Sequence, residues 1–320
     1  MDTCAKACEP TPVSFPPTSP LTSPLFLFSI LFLPSLELYK THPTPANLPN
    51  IRETGLFDSQ SATITGRPSN AMKRTLLLVV LAEACCVTLG AIASGPIDLG
   101  HGYDDKSIEW PGGEKFNYRR IWTGLTPSGT FIAANDFATA EHCGTHIDAP
   151  YHFNKNGRKV ADIPLDRLIT KAILVDAVKE TENNDCYSLP ASKLDEWVKT
   201  NGEIPDKSVL LVKFGWSTRY PNRQEYLGPS DTELRFPGLS EEAAKWIVDS
   251  KKFVGVGVDS ASLDGGRTDE LPVHKLVMGD DLYGLENVNL NFDLPPVFDV
   301  IVMPIKLVNG TGGPTRIIAL

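Results

Sequence analysis

Histidine is scarce in this chain, with 6 among 320 residues. Basic residues are outnumbered, 30 Lys and Arg against 39 Asp and Glu, and they form no run that could neutralise many phosphates. A formal charge of -9 sets nucleic-acid binding aside. The glycine fingerprint of a dinucleotide-binding turn and the phosphate loop are both absent. Cysteine is nearly missing from the long C-terminal part: Cys4, Cys8, Cys85 and Cys86 fall early, leaving Cys143 and Cys186, which either pair or stand as separate buried thiols.

What remains is ordinary globular composition, 42% hydrophobic and 22% charged, enough for one or two domains with a real core. The N-terminal part departs from it. Residues 1–71 are rich in Pro, Ser and Thr ("PTPVSFPPTSPLTSP"), a composition that predicts disorder. The apolar island "LFLFSILFL" inside it is short of the 20 or so residues a membrane span needs. Met72 then opens "MKRTLLLVVLAEACCVTLGAIASG", where Lys73 and Arg74 precede an apolar stretch that ends in small residues. That is a signal-peptide layout, interrupted by Glu83. The favoured reading starts translation at Met72, treats residues 1–71 as an over-extended gene prediction, and cleaves near Ala93 to release a secreted protein without stable membrane contact. In the alternative, residues 72–93 form an internal hydrophobic anchor. A lone glycosylation sequon, Asn309-Gly-Thr311, is a pattern frequent by chance.

Beyond residue 96 the chain alternates apolar β-rich runs with amphipathic patterns. "KAILVDAV", "SVLLVKFG", "FVGVGVD" and "FDVIVMPIKLV" predict buried strands at 171–178, 208–215, 253–259 and 298–308. Residues 190–202 and 239–251 predict helices, the second capped by Ser240 with two glutamates following. Strand and helix in alternation imply a single α/β domain over 96–320.

Half of the histidines lie in one segment, "EHCGTHIDAPYHF", residues 141–153. His142, His146, Asp148 and His152 share one parity, so an extended chain would put them on one face. Straight, the segment would span roughly 33 Å, far beyond the about 2 Å of a metal–ligand bond, so it must fold back, with Gly144 and Pro150 as the places to do so. Imidazoles and a carboxylate suit a divalent ion such as zinc or manganese, and three such ligands leave coordination positions open. Downstream, a short helix from His274 and a strand ending near Glu286 could return that pair to one place.

The segment from His142 to Phe153 resembles the signature of the metal-dependent cyclase family, which includes bacterial-type kynurenine formamidase and isatin hydrolase. "IDLGHGY", "EWPGG", "VGVDSASLD", "LENV" and "PIKLVNGTGGPTRIIAL" extend the resemblance over most of 96–320. It implies a swivelling β/α/β fold, usually a homo-oligomer, with amidohydrolase activity on small aryl or cyclic amides. It also implies one ion on His142, His146 and Asp148, a second on Asp148, His274 and Glu286, and His152 as general base and acid. Zinc or manganese, one ion or two, is the expected cofactor. A non-catalytic, metal-stabilised binding protein for small molecules is the alternative; an intact His152 favours the enzyme, since a purely structural site needs no additional base.

The other candidates have weaker support. Ser217 sits in part of a nucleophile elbow whose second glycine is replaced by Arg219. Asp259, Ser260, Ser262 and Asp264 follow a predicted strand, placed for substrate contact, support of other residues, or a capped turn. Trp110 and His101 could line an aromatic-walled pocket. Trp197 and Trp246 read as helix-face core residues.

Overall fold

The computed structural model describes residues 95–268 and 270–320. The predicted disordered extension and signal segment lie outside them.

Twelve strands are formed among the described residues: β1 (Ile97–Asp98), β2 (Asn117–Leu125), β3 (Phe131–Ala138), β4 (His146–Asp148), β5 (Ile169–Asp176), β6 (Ser188–Leu189), β7 (Ser208–Lys213), β8 (Gly238–Leu239), β9 (Phe253–Val258), β10 (Tyr283–Glu286), β11 (Val297–Pro304) and β12 (Gly312–Ala319). Eight make one sheet in the order β1-β12-β11-β5-β7-β9-β10-β4, and β4 pairs again with β12, which closes the sheet into a barrel. Strands β5, β7, β9 and β10 run parallel, while β4, β11 and β12 are antiparallel to their neighbours. The four predicted strands are β5, β7, β9 and β11.

The parallel strands carry near-continuous apolar runs because both their faces are covered. Val209 and Leu211 of β7 face the barrel interior with Ala172, Leu174, Leu285 and Val300. Leu210 and Val212 face outward into a second core with Trp197, Ala243 and Ile247. Glycine is needed at 257 on the inner side, where an added Cβ would lie 2.6 Å from Leu211 Cδ2.

The outer layer holds three helices of eight residues or more, α1 (Ala191–Asn201), α2 (Glu241–Ser250) and α3 (Pro272–Gly279). Helix α1 stops at Gly202, which takes a positive φ of 93° that a side chain would resist. Helix α2 begins as its sequence predicts: Ser240 Oγ accepts from Ala243 N at 3.1 Å, with Glu241 and Glu242 in the first turn. Trp197 is core on α1, and Trp246 is half-buried on α2 with its indole donating to Asp195 at 2.9 Å. None of the described helices is long and apolar enough to cross a membrane.

The β2–β3 hairpin was not anticipated. It forms a separate two-stranded ribbon, and Tyr118, Ile121, Trp122, Leu125, Phe131 and Phe137 stand exposed on it. Cys143 is buried and Cys186 half-buried, both as free thiols, so the pairing alternative is not realised.

Candidate metal centre

Strand β4 is only three residues long, yet it pairs with β10 on one side and β12 on the other. Alternation sends Ile147 into the barrel core and turns His146 and Asp148 the opposite way. Gly144, at a positive φ of 62°, folds the chain so that His142 comes back over them. Pro150 opens the turn Pro150–His152, which brings His152 over the same place. Both fold-back positions expected from sequence are used.

His274 arrives on the first turn of α3 and Glu286 at the end of β10, as their spacing predicts. Donor atoms of His142, His146 and Asp148 lie within 4.8 Å of one another, and so do those of Asp148, His274 and Glu286. Asp148 belongs to both groups.

The second nitrogen of each ring is tied by a neighbour. His146 Nδ1 donates to the Gly144 carbonyl at 2.9 Å, leaving Nε2 3.2 Å from Asp148 and 3.4 Å from Glu286. His274 Nδ1 meets Asp264 at 2.6 Å, leaving Nε2 3.1 Å from Glu286. His142 is reversed: Nε2 meets Thr311 Oγ1 at 3.0 Å, and Nδ1 faces Asp148 at 2.6 Å.

Two deeply buried atoms, His146 Nε2 and Asp148 Oδ2, have no hydrogen-bond partner among the described residues. Orphaned buried polar atoms are costly, and here both point into one cluster of nitrogen and carboxylate donors. The residues fit a divalent cation of the zinc or manganese type.

Burial opposes charge on His146, Asp148, His274 and Glu286, but partners outweigh it. The Asp148 and Glu286 carboxylates hold His146 well above the ordinary imidazole value. His274 is held high by Asp148, Asp264 and Glu286. Burial also works against an ionised Asp148, yet His146 and His142 keep it well below the carboxylate range. Glu286 suffers both burial and repulsion from Asp148 and is still lowered by the His146 and His274 rings beside it.

His152 differs from the rest. Its ring lies over His142, centroids 4.1 Å apart, makes no side-chain hydrogen bond among the described residues, and lines the cavity above the cluster. Burial draws its pKa below the ordinary value; the Asp148 and Glu286 charges pull upward, and His142 and His274 pull down. The cavity, about 390 Å3, is walled by Ile108, Trp110, Phe153, Leu227 and Leu271.

Trp110 therefore lines the pocket, but His101 does not. Its ring stacks on Tyr220 at 3.8 Å and its backbone N–H donates to Thr145, a packing role, and burial lowers its pKa to about 4. Ser217 is buried with its hydroxyl between Asp259, Val288 and Leu290, away from any imidazole, so it has no base to activate it. Asp259 caps the turn after β7, accepting from the backbone of Phe214, Trp216 and Ser217. Ser260 is buried, and its hydroxyl donates to the Ser262 carbonyl. Ser262 lines the cavity. Asp264 both caps α3, through Val273 N and His274 N, and orients the His274 ring. Glu141 and Thr311, which hydrogen-bond each other beside His142, and Asn287, whose amide donates to the Gly144 carbonyl at 2.7 Å, were missed by the sequence reading. Glu141 adjoins the dense motif, which is the one sequence signal that could have raised it.

A sequence profile of the Cyclase family matches residues 97–265. Isatin hydrolase of Roseibium aggregatum is 30% identical over 203 residues, covering 60% of this chain and 76% of that protein. Kynurenine formamidase of Geobacillus thermodenitrificans is 25% identical over 229 residues, covering 69% of this chain and 94% of that protein. Among solved structures, isatin hydrolase A from Ralstonia solanacearum superposes with a TM-score of 0.66 at 26% identity, over 81% of this chain and 99% of its own. The mixed α/β fold around a closed barrel is thus shared with these hydrolases, and with the profile spanning more than half of the sequence, the chain belongs to the Cyclase family.

Proposed function

We propose that the protein is a metal-dependent amidohydrolase that opens the C–N bond of a small aryl or cyclic amide, N-formylkynurenine first among candidates. The observation that carries this reading is the free ring of His152 beside a buried two-group donor cluster, under an apolar cavity of about 390 Å3. That volume and lining suit a single aromatic ring with a few polar atoms. The relatives named for isatin and for a formamide of kynurenine support an amide carbonyl on an aryl nitrogen as the shared chemistry.

His142, His146 and Asp148 would hold one ion, and Asp148, His274 and Glu286 a second. A bound divalent ion supplies a Lewis acid for the carbonyl and lowers the pKa of water toward about 7. His152, held neutral by burial, takes the proton of the attacking water and returns it to the departing nitrogen. Trp110 and Phe153 pack the aryl ring and exclude bulk water from the reacting carbonyl. Hydrolysis of N-formylkynurenine by the purified protein, stripped of metal and reloaded with zinc or manganese, tests the reading. Metal-restored turnover supports it; no turnover by folded, metal-loaded protein rejects that substrate.

The layout of residues 72–93 supports export, and N-terminal sequencing of the mature protein would read the cleavage site near Ala93. The β2–β3 ribbon supports self-association. A two-stranded hairpin is marginal alone in water. Its exposed aromatic and aliphatic side chains, at roughly 100 Å2 each, approach the ~800 Å2 per partner of a stable dimer. A second copy of this chain is the proposed occupant. Trp122→Asp with Phe131→Asp is expected to shift the sedimenting species to monomer, and a wild-type monomer would overturn the assignment.

A further inference from the structure

The sequon threonine has a structural use that its motif does not suggest. Thr311 stands just before β12, and its carbonyl accepts from Ala149 N at 2.8 Å, which fixes it against the exit of β4. Its hydroxyl lies between two groups: Glu141 Oε2 at 2.6 Å and His142 Nε2 at 3.0 Å. The same carboxylate oxygen also accepts from Thr311 N at 2.8 Å and Gly312 N at 3.2 Å. An oxygen that accepts from two backbone N–H groups meets the hydroxyl as an acceptor too.

A threonine hydroxyl has one proton, and here the carboxylate takes it. Toward His142 the oxygen can only accept, so Nε2 must carry a hydrogen, and Nδ1, 2.6 Å from Asp148 Oδ1, is the nitrogen left to give its lone pair to a cation. Among the three cluster histidines this is the reversed arrangement, since His146 and His274 are tied at Nδ1 and present Nε2. The Gly144 carbonyl and Asp264 tie those two rings, but neither reaches His142.

We infer that Glu141 and Thr311 are a positioning pair that locks His142 in its Nε2–H form and so presents Nδ1 to the divalent cation. This rests on the metal reading above. Acceptors that fix the tautomer of a metal-binding histidine are worth about 10–100-fold in affinity. Valine at 311 keeps the volume and removes the acceptor; serine restores it.

The test uses the full-length protein, cobalt titration followed by absorption, and nitrogen-resolved proton spectra of its histidine rings with zinc bound. In the wild type, His142 should show a hydrogen-bonded Nε2 proton. In Thr311→Val that proton should lose its bond, and cobalt affinity should fall about 10–100-fold. Thr311→Ser should recover both. Equal cobalt affinity in wild type and Thr311→Val would overturn the positioning role, as would a wild-type His142 protonated at Nδ1. The wild-type spectrum decides even if the valine variant does not fold. A wild type that folds and binds neither cobalt nor zinc would instead overturn the metal reading, a separate outcome from equal binding by the two proteins.

Discussion

Replacing Gly312 with alanine asks whether His142 is held by backbone packed directly against its ring. A Cβ at 312 would lie 2.5 Å from His142 Cε1, 2.9 Å from its Nδ1 and 2.7 Å from the Ile147 carbonyl oxygen. Carbon contacts settle at about 3.5–4.0 Å, so something must give by roughly 1 Å. The carbonyl is poorly placed to move, because β4 is paired to both β10 and β12 and Gly312 itself sits opposite Asp148. The ring moves instead, away from Thr311 and from Asp148. Overpacking of this kind costs about 1–3 kcal/mol, which in a domain of this size lowers Tm by about 2–4 °C per kcal/mol. The metal-free variant should melt about 2–12 °C lower, and its cobalt affinity should fall about 10–100-fold. Gly313→Ala is the control, since its Cβ would meet Leu307 Cδ1 at 3.5 Å and the Ile305 carbonyl oxygen at 3.6 Å, ordinary contacts. Chelator competition and thermal unfolding on the two variants read the difference. Wild-type affinity in Gly312→Ala would refute the claim that close packing sets the ring position.

His152→Ala should bind zinc as the wild type does and lose about 10²–10⁴ in kcat/KM, because the ring stacks on His142 without hydrogen-bonding any donor of the cluster and serves to move a proton. Its lowered pKa fixes the sign of the pH profile: the neutral, active form persists below 6.5, so the acid limb of kcat/KM should lie under that value, and a limb above it would remove His152 as the base. Asp259→Ala should destabilise by about 3–5 kcal/mol in urea unfolding, since it strands the buried backbone donors of Phe214, Trp216 and Ser217 at about 1–3 kcal/mol each; a change under about 1 kcal/mol would deny its capping role. Chelation should leave a folded barrel with cooperative unfolding, because the hydrogen bonds of β4 and the burial of Ile147 need no ion; collapse on chelation would instead favour the metal-stabilised binder.

Local physics made part of this structure legible in sequence. β5, β7 and β9 announce themselves because burial on both faces demands unbroken apolar runs, and α2 does so through Ser240 and its following glutamates. The His142 to His152 segment was legible because rare ligand-type residues at one parity, with Gly144 and Pro150 between them, have few other uses. Barrel closure was not legible. It depends on three-residue β4 finding β12, a pairing across more than 160 positions that leaves no period in either segment. The hairpin was missed for a related reason: its apolar residues lie on both faces of a ribbon with no core of its own, so alternation does not mark an inside. Asp264 was noticed but not resolved, since a carboxylate that caps a helix and one that orients a histidine look alike until α3 and His274 are placed together.

The strand that closes the barrel is also the strand that carries the site, and the two duties constrain each other. Parity gives β4 one inward residue, Ile147, and two outward ones, His146 and Asp148. Pairing to β10 sets Glu286 opposite His146, and pairing to β12 sets Gly312 opposite Asp148 and brings Thr311 to the ring of His142. A slip of one residue on either side would turn His146 and Asp148 into the barrel and Ile147 out to the pocket. The register that buries Ile147 is therefore the same one that assembles the donors. Asp148 and Glu286 repel each other at that register, and His146 and His274 offset the repulsion by holding positive charge. A divalent cation would supply the same compensation and release those rings as neutral ligands, so the hydrophobic register and the charge balance of the cluster point to one function for this short strand.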